Sequence, residues 1–101
     1  MKTERKGNMD TLTVLRENMD DLRRRFHVKS IAVFGSQARG EAGAKSDVDI
    51  LVEFDTPVDL FDFVELKQFL ETLLGREVDL VTRAALKPRM RDSVLREAVY
   101  A

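Results

Sequence analysis

The sequence predicts one α/β domain of the α+β kind, in which about three short strands form a small mixed sheet with flanking helices. Apolar residues recur at helical spacing in three segments, and short β-branched or alternating segments lie between them. The predicted order is therefore α-β-α-β-α-β-α. The 101 residues suit a single domain, residues 1–101, of which residues 1–9 are expected to be flexible.

The composition argues against several classes of function. The chain has 17 basic and 18 acidic residues, and its net charge of −1 argues against charge-driven binding of nucleic acid. It has no cysteine, which excludes disulfides and thiolate chemistry. No apolar segment approaches the length of a membrane span, and the N-terminus lacks the apolar core of a signal peptide. We therefore expect a cytoplasmic protein that does not bind membranes.

The first half of the chain predicts a helix, a strand and the start of a second helix. The first helix is expected from about Asp10 to Phe26, because its apolar residues are spaced three or four apart. Ser30–Phe34 is short, β-branched and apolar, which predicts a buried strand that ends at Gly35. Residues 36–40 are expected to begin a short helix, and residues 41–45 to form a loop. The stripe of the first helix is Leu12, Leu15, Met19, Leu22 and Phe26.

The second half predicts two strands and two helices. Asp47–Phe54 alternates, so its even-numbered residues would face the core and its odd-numbered residues the other way. Asp59 is expected to cap a strongly apolar helix that Gly75 terminates. Residues 77–82 predict a third strand, and residues 89–99 a last helix with a proline in its first turn. The expected inner face of that helix is Met90, Val94, Leu95 and Ala98.

Asp47 and Asp49 allow two interpretations. A strand face in water carries two carboxylates at little cost, whereas the same pair in a cleft needs a counter-cation. Alternation alone leaves both interpretations open. Asp79 favours the cation, because it stands in an apolar strand where its neighbours predict burial, and a lone buried carboxylate is costly. If the third strand lies beside the second, three carboxylates meet at one sheet edge, a donor set that suits Mg²⁺.

The turn formed by Gly35 and Ser36 is a candidate phosphate site. Glycine after a buried strand allows the backbone to approach a ligand closely. The helix start that follows would offer free N–H groups and the positive end of a dipole. A Gly-Ser pair alone is common in turns. Followed ten residues later by Asp-x-Asp, and then by a third Asp on another strand, it is much more specific.

Residues 35–54, GSQARGEAGAKSDVDILVEF, resemble the Gly-Ser-x-Ala-Arg-Gly … Ser-Asp-x-Asp signature of the minimal nucleotidyltransferases, or MNT domains. These domains belong to the superfamily typified by DNA polymerase beta. The resemblance covers about residues 12–100, and the order of elements agrees with the nucleotidyltransferase fold. Many MNT domains are antitoxins that are paired with a HEPN-domain toxin.

The resemblance implies a reaction and the residues that perform it. The reaction is transfer of a nucleoside monophosphate, usually AMP from ATP, to a hydroxyl, with release of pyrophosphate. Asp47, Asp49 and Asp79 would be catalytic and would hold two Mg²⁺ ions, and Asp79 would help to activate the hydroxyl. The implied nucleotide-binding residues are Gly35, Ser36, Arg39 and Ser46. For Arg39, a structural role in bracing the loop is slightly favoured over contact with the triphosphate. For Ser46, the favoured role is to fix the turn into the second strand.

The resemblance also implies a macromolecular partner. In the family, the antitoxin adenylylates a tyrosine of its HEPN partner and thereby blocks the RNase activity of that partner. A chain of this size has little surface for gripping a substrate of its own, so we expect a hetero-oligomeric complex that presents the acceptor. Two alternatives remain, namely an antitoxin that acts by steric binding with a retained nucleotide site, and the catalytic subunit of a small-molecule nucleotidyltransferase.

Two residues that occur once in the chain are expected to have structural roles. His27 follows the end of the first predicted helix, which indicates a surface or capping position. Tyr100 lies next to the C-terminus, and packing or exposure is favoured over a role as an acceptor of AMP.

Overall fold

A computed structural model describes residues 8–35 and 47–101 of the chain. The predicted helix start at residues 36–40 and the predicted loop at 41–45 lie outside the described residues. A 3₁₀ turn at Arg83–Ala85 follows the third strand. The helices and strands are α1 (Asn8–Glu17), α2 (Met19–Phe26), β1 (Val28–Phe34), β2 (Val48–Phe54), α3 (Leu60–Leu74), β3 (Val78–Thr82), α4 (Pro88–Glu97) and β4 (Val99–Tyr100).

The four described strands form one mixed sheet in the order β3-β2-β1-β4. β1 pairs antiparallel with both β2 and β4, whereas β2 and β3 are parallel. The mixed sheet and the adjacency of the second and third predicted strands are confirmed. β4 is an additional strand that the sequence does not predict. Its two residues are too few to show a periodicity, and its pairing with Ala32 and Val33 of β1 is a contact between distant parts of the chain.

The single helix predicted for residues 10–26 is two helices that meet at Asn18. The Nδ2 of Asn18 donates to the carbonyl oxygen of Val14 over 2.8 Å, and its backbone N–H donates to Leu15 over 3.1 Å. Asparagine commonly competes in this way with the regular hydrogen bonds of a helix. The apolar stripe nevertheless stays on one side across the break, since Leu15, Met19 and Leu22 are all buried.

The predicted ends of α3 and the predicted end of α2 at Phe26 are confirmed, whereas α4 ends at Glu97 and the predicted last helical residue, Val99, lies in β4. Asp59 accepts from the backbone N–H of Asp62 over 2.9 Å, and the Asp62 carboxylate accepts from the backbone of Asp59, which is a complete capping box. Gly75 ends α3 at a φ of 68°, and His27 caps α2 at a φ of 61°. Both residues therefore occupy the left-handed region in which many helices end.

The main core lies on the face of the sheet that α1, α2 and α3 cover. The even-numbered residues Val48, Ile50 and Val52 of β2 are fully buried here, as the alternation predicts. Leu66 and Leu70 of α3 are also fully buried in this cluster. This face holds most of the apolar surface that the described residues bury.

A smaller core lies on the opposite face, under α4. It consists of Ala32, Leu51, Leu86 and Val94, with Leu95 and Ala98 packed against it. The predicted inner face of the last helix is thus correct for three residues and wrong for Met90, which is 51% exposed. Met90 lies in the first turn of α4, outside the small core.

Among the helices that the structure describes, none is both long enough and apolar enough to cross a membrane.

Candidate active site

The backbone at the end of β1 lies against the carboxylate of Asp49. Gly35 has a φ of 73°, and a Cβ atom built on it would overlap Oδ2 of Asp49 and lie 3.2 Å from its Cγ. A side chain at this position would be strained by its backbone conformation and would also displace the carboxylate. The Gly35 backbone thus lies close to the Asp49 carboxylate, and its predicted approach to a ligand stays a prediction.

The sheet places Asp49 beside Asp79. In the parallel pairing of β2 and β3, Asp49 is the register partner of Asp79, and in the antiparallel pairing with β1 it is the partner of Phe34. Adjacent strands are about 4.8 Å apart, so the two aspartates are immediate neighbours on one face. Like charges at one register position repel each other, and a bound cation would relieve that repulsion.

Asp47 lies one residue before β2 and is exposed. The alternation of β2 gives Asp47 the same face as Asp49, while the intervening Val48 is fully buried in the main core. Asp47, Asp49 and Asp79 therefore lie where β2 and β3 begin, on the face of the sheet opposite α1–α3.

The predicted burial of Asp79 is wrong. Its strand neighbours Val78 and Leu80 are buried in the main core, but Asp79 itself is exposed. The reason is tertiary, because β3 is an edge strand of the sheet and α4 does not extend over its first residues. An exposed Asp79 can stay charged in water without an ion-pair partner, so its burial no longer argues for a cation. Its position beside Asp49 is what makes it a candidate site residue.

The three carboxylates fit a hard cation by their chemistry. All of their donor atoms are oxygens. Asp47 and Asp79 are exposed and Asp49 is half-buried, which leaves room for water and for the phosphates of a substrate beside Asp47 and Asp79. Mg²⁺ typically takes one or two carboxylates and completes its shell with water and substrate phosphates. Within residues 8–35 and 47–101, no group of three or more His, Cys, Asp or Glu side chains is placed to hold a metal ion. The structure therefore brings Asp49 and Asp79 together but does not gather Asp47 with them around one point.

Glu71 anchors the start of β3 and has no counterpart in the sequence-based predictions. Its Oε2 accepts from the backbone N–H of Val78 over 3.0 Å and from Nζ of Lys67 over 3.0 Å. The Val78 hydrogen bond, followed by the Lys67 hydrogen bond, lowers the pKa of Glu71 below its ordinary value of 4.5. Val78 directly precedes Asp79, so the contact fixes the strand at the edge of the candidate site. The spacing of Lys67 and Glu71 predicts their pair, whereas nothing local predicts the bond to Val78.

Three of the predicted nucleotide-binding residues, Ser36, Arg39 and Ser46, lie outside the described residues. The fourth, Gly35, is described and contacts the candidate site. The sequence-based predictions did not identify Phe34, because only the register of β1 against β2 reveals that it flanks Asp49.

Comparison with known proteins provides an independent line of evidence. The sequence matches the model of the nucleotidyltransferase domain over residues 15–101. The protein adenylyltransferase MntA of Thermococcus cleftensis is 50% identical over 88 residues, which cover 87% of this chain and 89% of the relative.

Solved structures are similar over nearly the whole chain. A protein assigned as a minimal nucleotidyltransferase has a TM-score of 0.78 at 43% identity, covering 96% of this chain and 98% of that one. A crystal structure of a toxin–antitoxin complex with AMP-PNP has a TM-score of 0.65 at 26% identity, covering 92% of this chain and 70% of that one.

Proposed function

Since the chain belongs to the nucleotidyltransferase family, we propose that it is a protein adenylyltransferase that acts as the antitoxin of a HEPN-domain RNase toxin. It would transfer AMP from ATP to a tyrosine hydroxyl of the toxin, release pyrophosphate and so neutralise the toxin. The observation that carries this proposal is the pairing of Asp49 with Asp79 on one sheet face, with the Gly35 backbone against Asp49.

The relatives support both the reaction and the partner. A protein that is 50% identical over most of both chains is a protein adenylyltransferase. A toxin–antitoxin complex at 26% identity holds an ATP analogue, which supports ATP as the donor and a toxin as the partner. The open face around the carboxylates agrees with an acceptor that arrives on another macromolecule.

The proposed reaction is a displacement at the α-phosphorus of ATP. The tyrosine oxygen forms a bond to this phosphorus, the bond from the phosphorus to the bridging oxygen breaks, and pyrophosphate leaves with the bond's electron pair. Asp79 is the group proposed to receive the tyrosine proton, because it is an exposed carboxylate that an incoming hydroxyl can reach. Exposure also keeps Asp79 accessible when the partner is bound beside it.

Asp47, Asp49 and Asp79 are the residues that would hold two Mg²⁺ ions. When bound, Mg²⁺ supplies positive charge that stabilises the transferring phosphoryl group and the leaving pyrophosphate. Gly35 is proposed to admit the β- and γ-phosphates close to the backbone, because glycine has no side chain that would keep a ligand away. Ser36, Arg39 and Ser46 remain proposed nucleotide-binding residues.

The test is transfer of label from ATP labelled at its α-phosphate to the purified HEPN toxin in the presence of Mg²⁺. Wild-type protein is expected to label the toxin, and substitution of the acceptor tyrosine by phenylalanine is expected to abolish the label. Asp47→Asn is expected to abolish labelling while the complex with the toxin stays intact, because Asp47 is exposed and supports no packing. Labelling that persists in Asp47→Asn would remove this residue from the site.

The same experiment separates catalytic from steric neutralisation. RNase activity of the toxin is measured as a second readout. If the antitoxin acts only by covering the toxin, the wild-type chain and Asp47→Asn would inhibit this activity equally, and neither would label the toxin. Label on a small molecule without any protein acceptor would indicate a small-molecule nucleotidyltransferase. Either result would contradict the proposed function.

A further inference from the structure

The basic residues of this chain are unevenly distributed. Five of the 17 basic but only two of the 18 acidic residues lie between residues 83 and 97, giving this segment a net charge of +3 and the other residues −4. The five are Arg83, Lys87, Arg89, Arg91 and Arg96, which we call the α4 ridge. All five are exposed, and none of them pairs with a carboxylate in the part of the chain that the structure describes.

The α4 ridge borders the carboxylate site. The ridge begins after Thr82, which pairs with Val52 at the end of the sheet remote from the carboxylates. α4 ends just before Val99, which pairs with Val33, and its Val94 packs over Ala32 and Leu51. The helix therefore crosses the face that carries Asp49 and leaves the corner where β2 and β3 begin uncovered.

Two of the exposed cations share one side of α4. Arg89 and Arg96 are seven residues apart, so they project from the same side of α4, opposite the buried Val94, and their Cα atoms are about 10 Å apart. Met90 adds an apolar side chain that is 51% exposed. At the remote end, Arg83 and Arg91 line a recess of about 500 Å³ together with Glu53, Thr56 and Thr82. The segment thus offers a pair of cations on one side of α4 and a concavity at its remote end.

We infer that the α4 ridge is the surface on which the acceptor protein docks, and that the matching patch of that protein is acidic. This inference rests on the proposed function and names a binding surface for its partner. Unpaired cations beside an acidic site attract an acidic partner and hold it next to the carboxylates. The helix is about 15 Å long, so its cations extend well beyond the phosphates of one nucleotide at Asp49.

An acidic protein is favoured over RNA as the occupant. The ridge carries no aromatic side chain on which a base could stack, and Asp92 interrupts its charge. The chain as a whole has a net charge of −1, which opposes binding to a polyanionic backbone. RNA is the alternative occupant of this surface, and the experiment below therefore also measures RNA binding.

The test uses the double charge reversal Arg89→Glu with Arg96→Glu. Its matched control is Arg23→Glu with Arg24→Glu, because these two exposed arginines lie on α2, on the opposite face of the sheet. The affinity for the HEPN toxin is measured at about 50 mM and about 300 mM salt, a range over which exposed charges become screened. Circular dichroism verifies folding, and Arg89→Gln with Arg96→Gln serves as the milder pair.

The expected result is that reversal on α4 weakens the toxin complex about tenfold or more and removes most of its salt dependence, whereas the control pair changes the affinity less than about twofold. The affinity for AMP-PNP is expected to stay within about twofold of wild type. Equal effects of the two pairs on toxin binding, or no effect of either, would overturn the inference.

Two further measurements keep the inference separate from the proposed function. Toxin binding is also measured in Asp47→Asn, in which AMP transfer is expected to be absent, so that binding is observed without transfer. If the wild-type chain binds the toxin through the α4 ridge but does not transfer AMP to it, the inference is supported and the proposed reaction is contradicted. Binding of a single-stranded 20-nucleotide RNA is measured in parallel. Loss of RNA binding on α4 reversal with unchanged toxin binding would overturn docking of a protein on this surface.

Discussion

The two faces of the central sheet differ in what they bury. On one face, α1, α2 and α3 cover the sheet with a continuous apolar core that includes the fully buried Ile50 and Leu66. On the other face, α4 covers only a small cluster, and the amino-terminal ends of β2 and β3 carry the half-buried Asp49 and the exposed Asp79. The same strands thus supply stability on one side and candidate chemistry on the other, and the following variants test that separation.

Among the variants that compare the two faces, Asp79→Asn is expected to have the largest effect on activity. It should reduce AMP transfer at least about 100-fold, because it removes a charged oxygen donor and the proposed proton acceptor. The free energy of unfolding should change by no more than about 0.5 kcal/mol, since the side chain is exposed. Single-turnover transfer and urea unfolding measure the two effects. Retained transfer would restrict the site to Asp47 and Asp49.

Leu66→Ala on the core face should show the opposite pattern. Leu66 is 0% exposed, and truncating such a residue typically costs about 2–5 kcal/mol in the free energy of unfolding. Transfer measured well below the midpoint of thermal unfolding should remain within about twofold of wild type, because α3 lies on the face without the carboxylates. A large loss of transfer in the folded variant would show that the two faces are coupled.

Gly35→Ala should affect both properties, because Gly35 lies where β1 meets the candidate site. Its φ of 73° costs an alanine about 1–2 kcal/mol, and the new Cβ would displace the Asp49 carboxylate. A small displacement of a reacting group reduces transfer by as much as about 100-fold.

Gly75→Ala is the matched control for Gly35→Ala. Gly75 has a φ of 68°, but a Cβ built on it has no atom within 4 Å. The Gly75→Ala variant should lose about as much stability as Gly35→Ala, but its AMP transfer should stay at the wild-type level. Similar losses of transfer in both variants would indicate that backbone strain, and not contact with Asp49, explains the effect.

Glu71→Gln should produce the smallest effect, visible as a change in the pH dependence of stability. Because the folded protein lowers the pKa of Glu71, the carboxylate stabilises the fold above its unfolded pKa of about 4.5, and this contribution disappears as the pH falls through the lowered value. Wild type should therefore be more stable than Glu71→Gln at pH 7, and the difference should narrow toward pH 3.

Urea unfolding across this range measures the difference. Glu65→Gln on the same helix provides the control, because Glu65 is exposed and accepts no hydrogen bond within the described ranges. A difference between wild type and Glu71→Gln that stays constant with pH would show that the bond to Val78 does not depend on the charge of Glu71.

Much of the fold could be predicted from local pattern. The alternation of β2 assigns Val48, Ile50 and Val52 to the core because successive strand residues point to opposite faces. The capping box at Asp59 and the terminal Gly75 define α3 because both are short-range signals. Asp47, Asp49 and the Gly35 turn were also readable as candidate site residues, because their residue types and spacing indicate phosphate and cation chemistry.

Tertiary structure decided what depends on distant parts of the chain. Asp79 is exposed, although its neighbours in sequence predict burial, because β3 is an edge strand that α4 leaves uncovered. The contact of the Gly35 backbone with Asp49 and the bond from Val78 to Glu71 join residues from different elements. The sequence by itself determined which residues are candidates for holding a phosphate and a cation. Only the packing of the sheet decided which of them meet, because neighbours across strands depend on register and not on spacing along the chain.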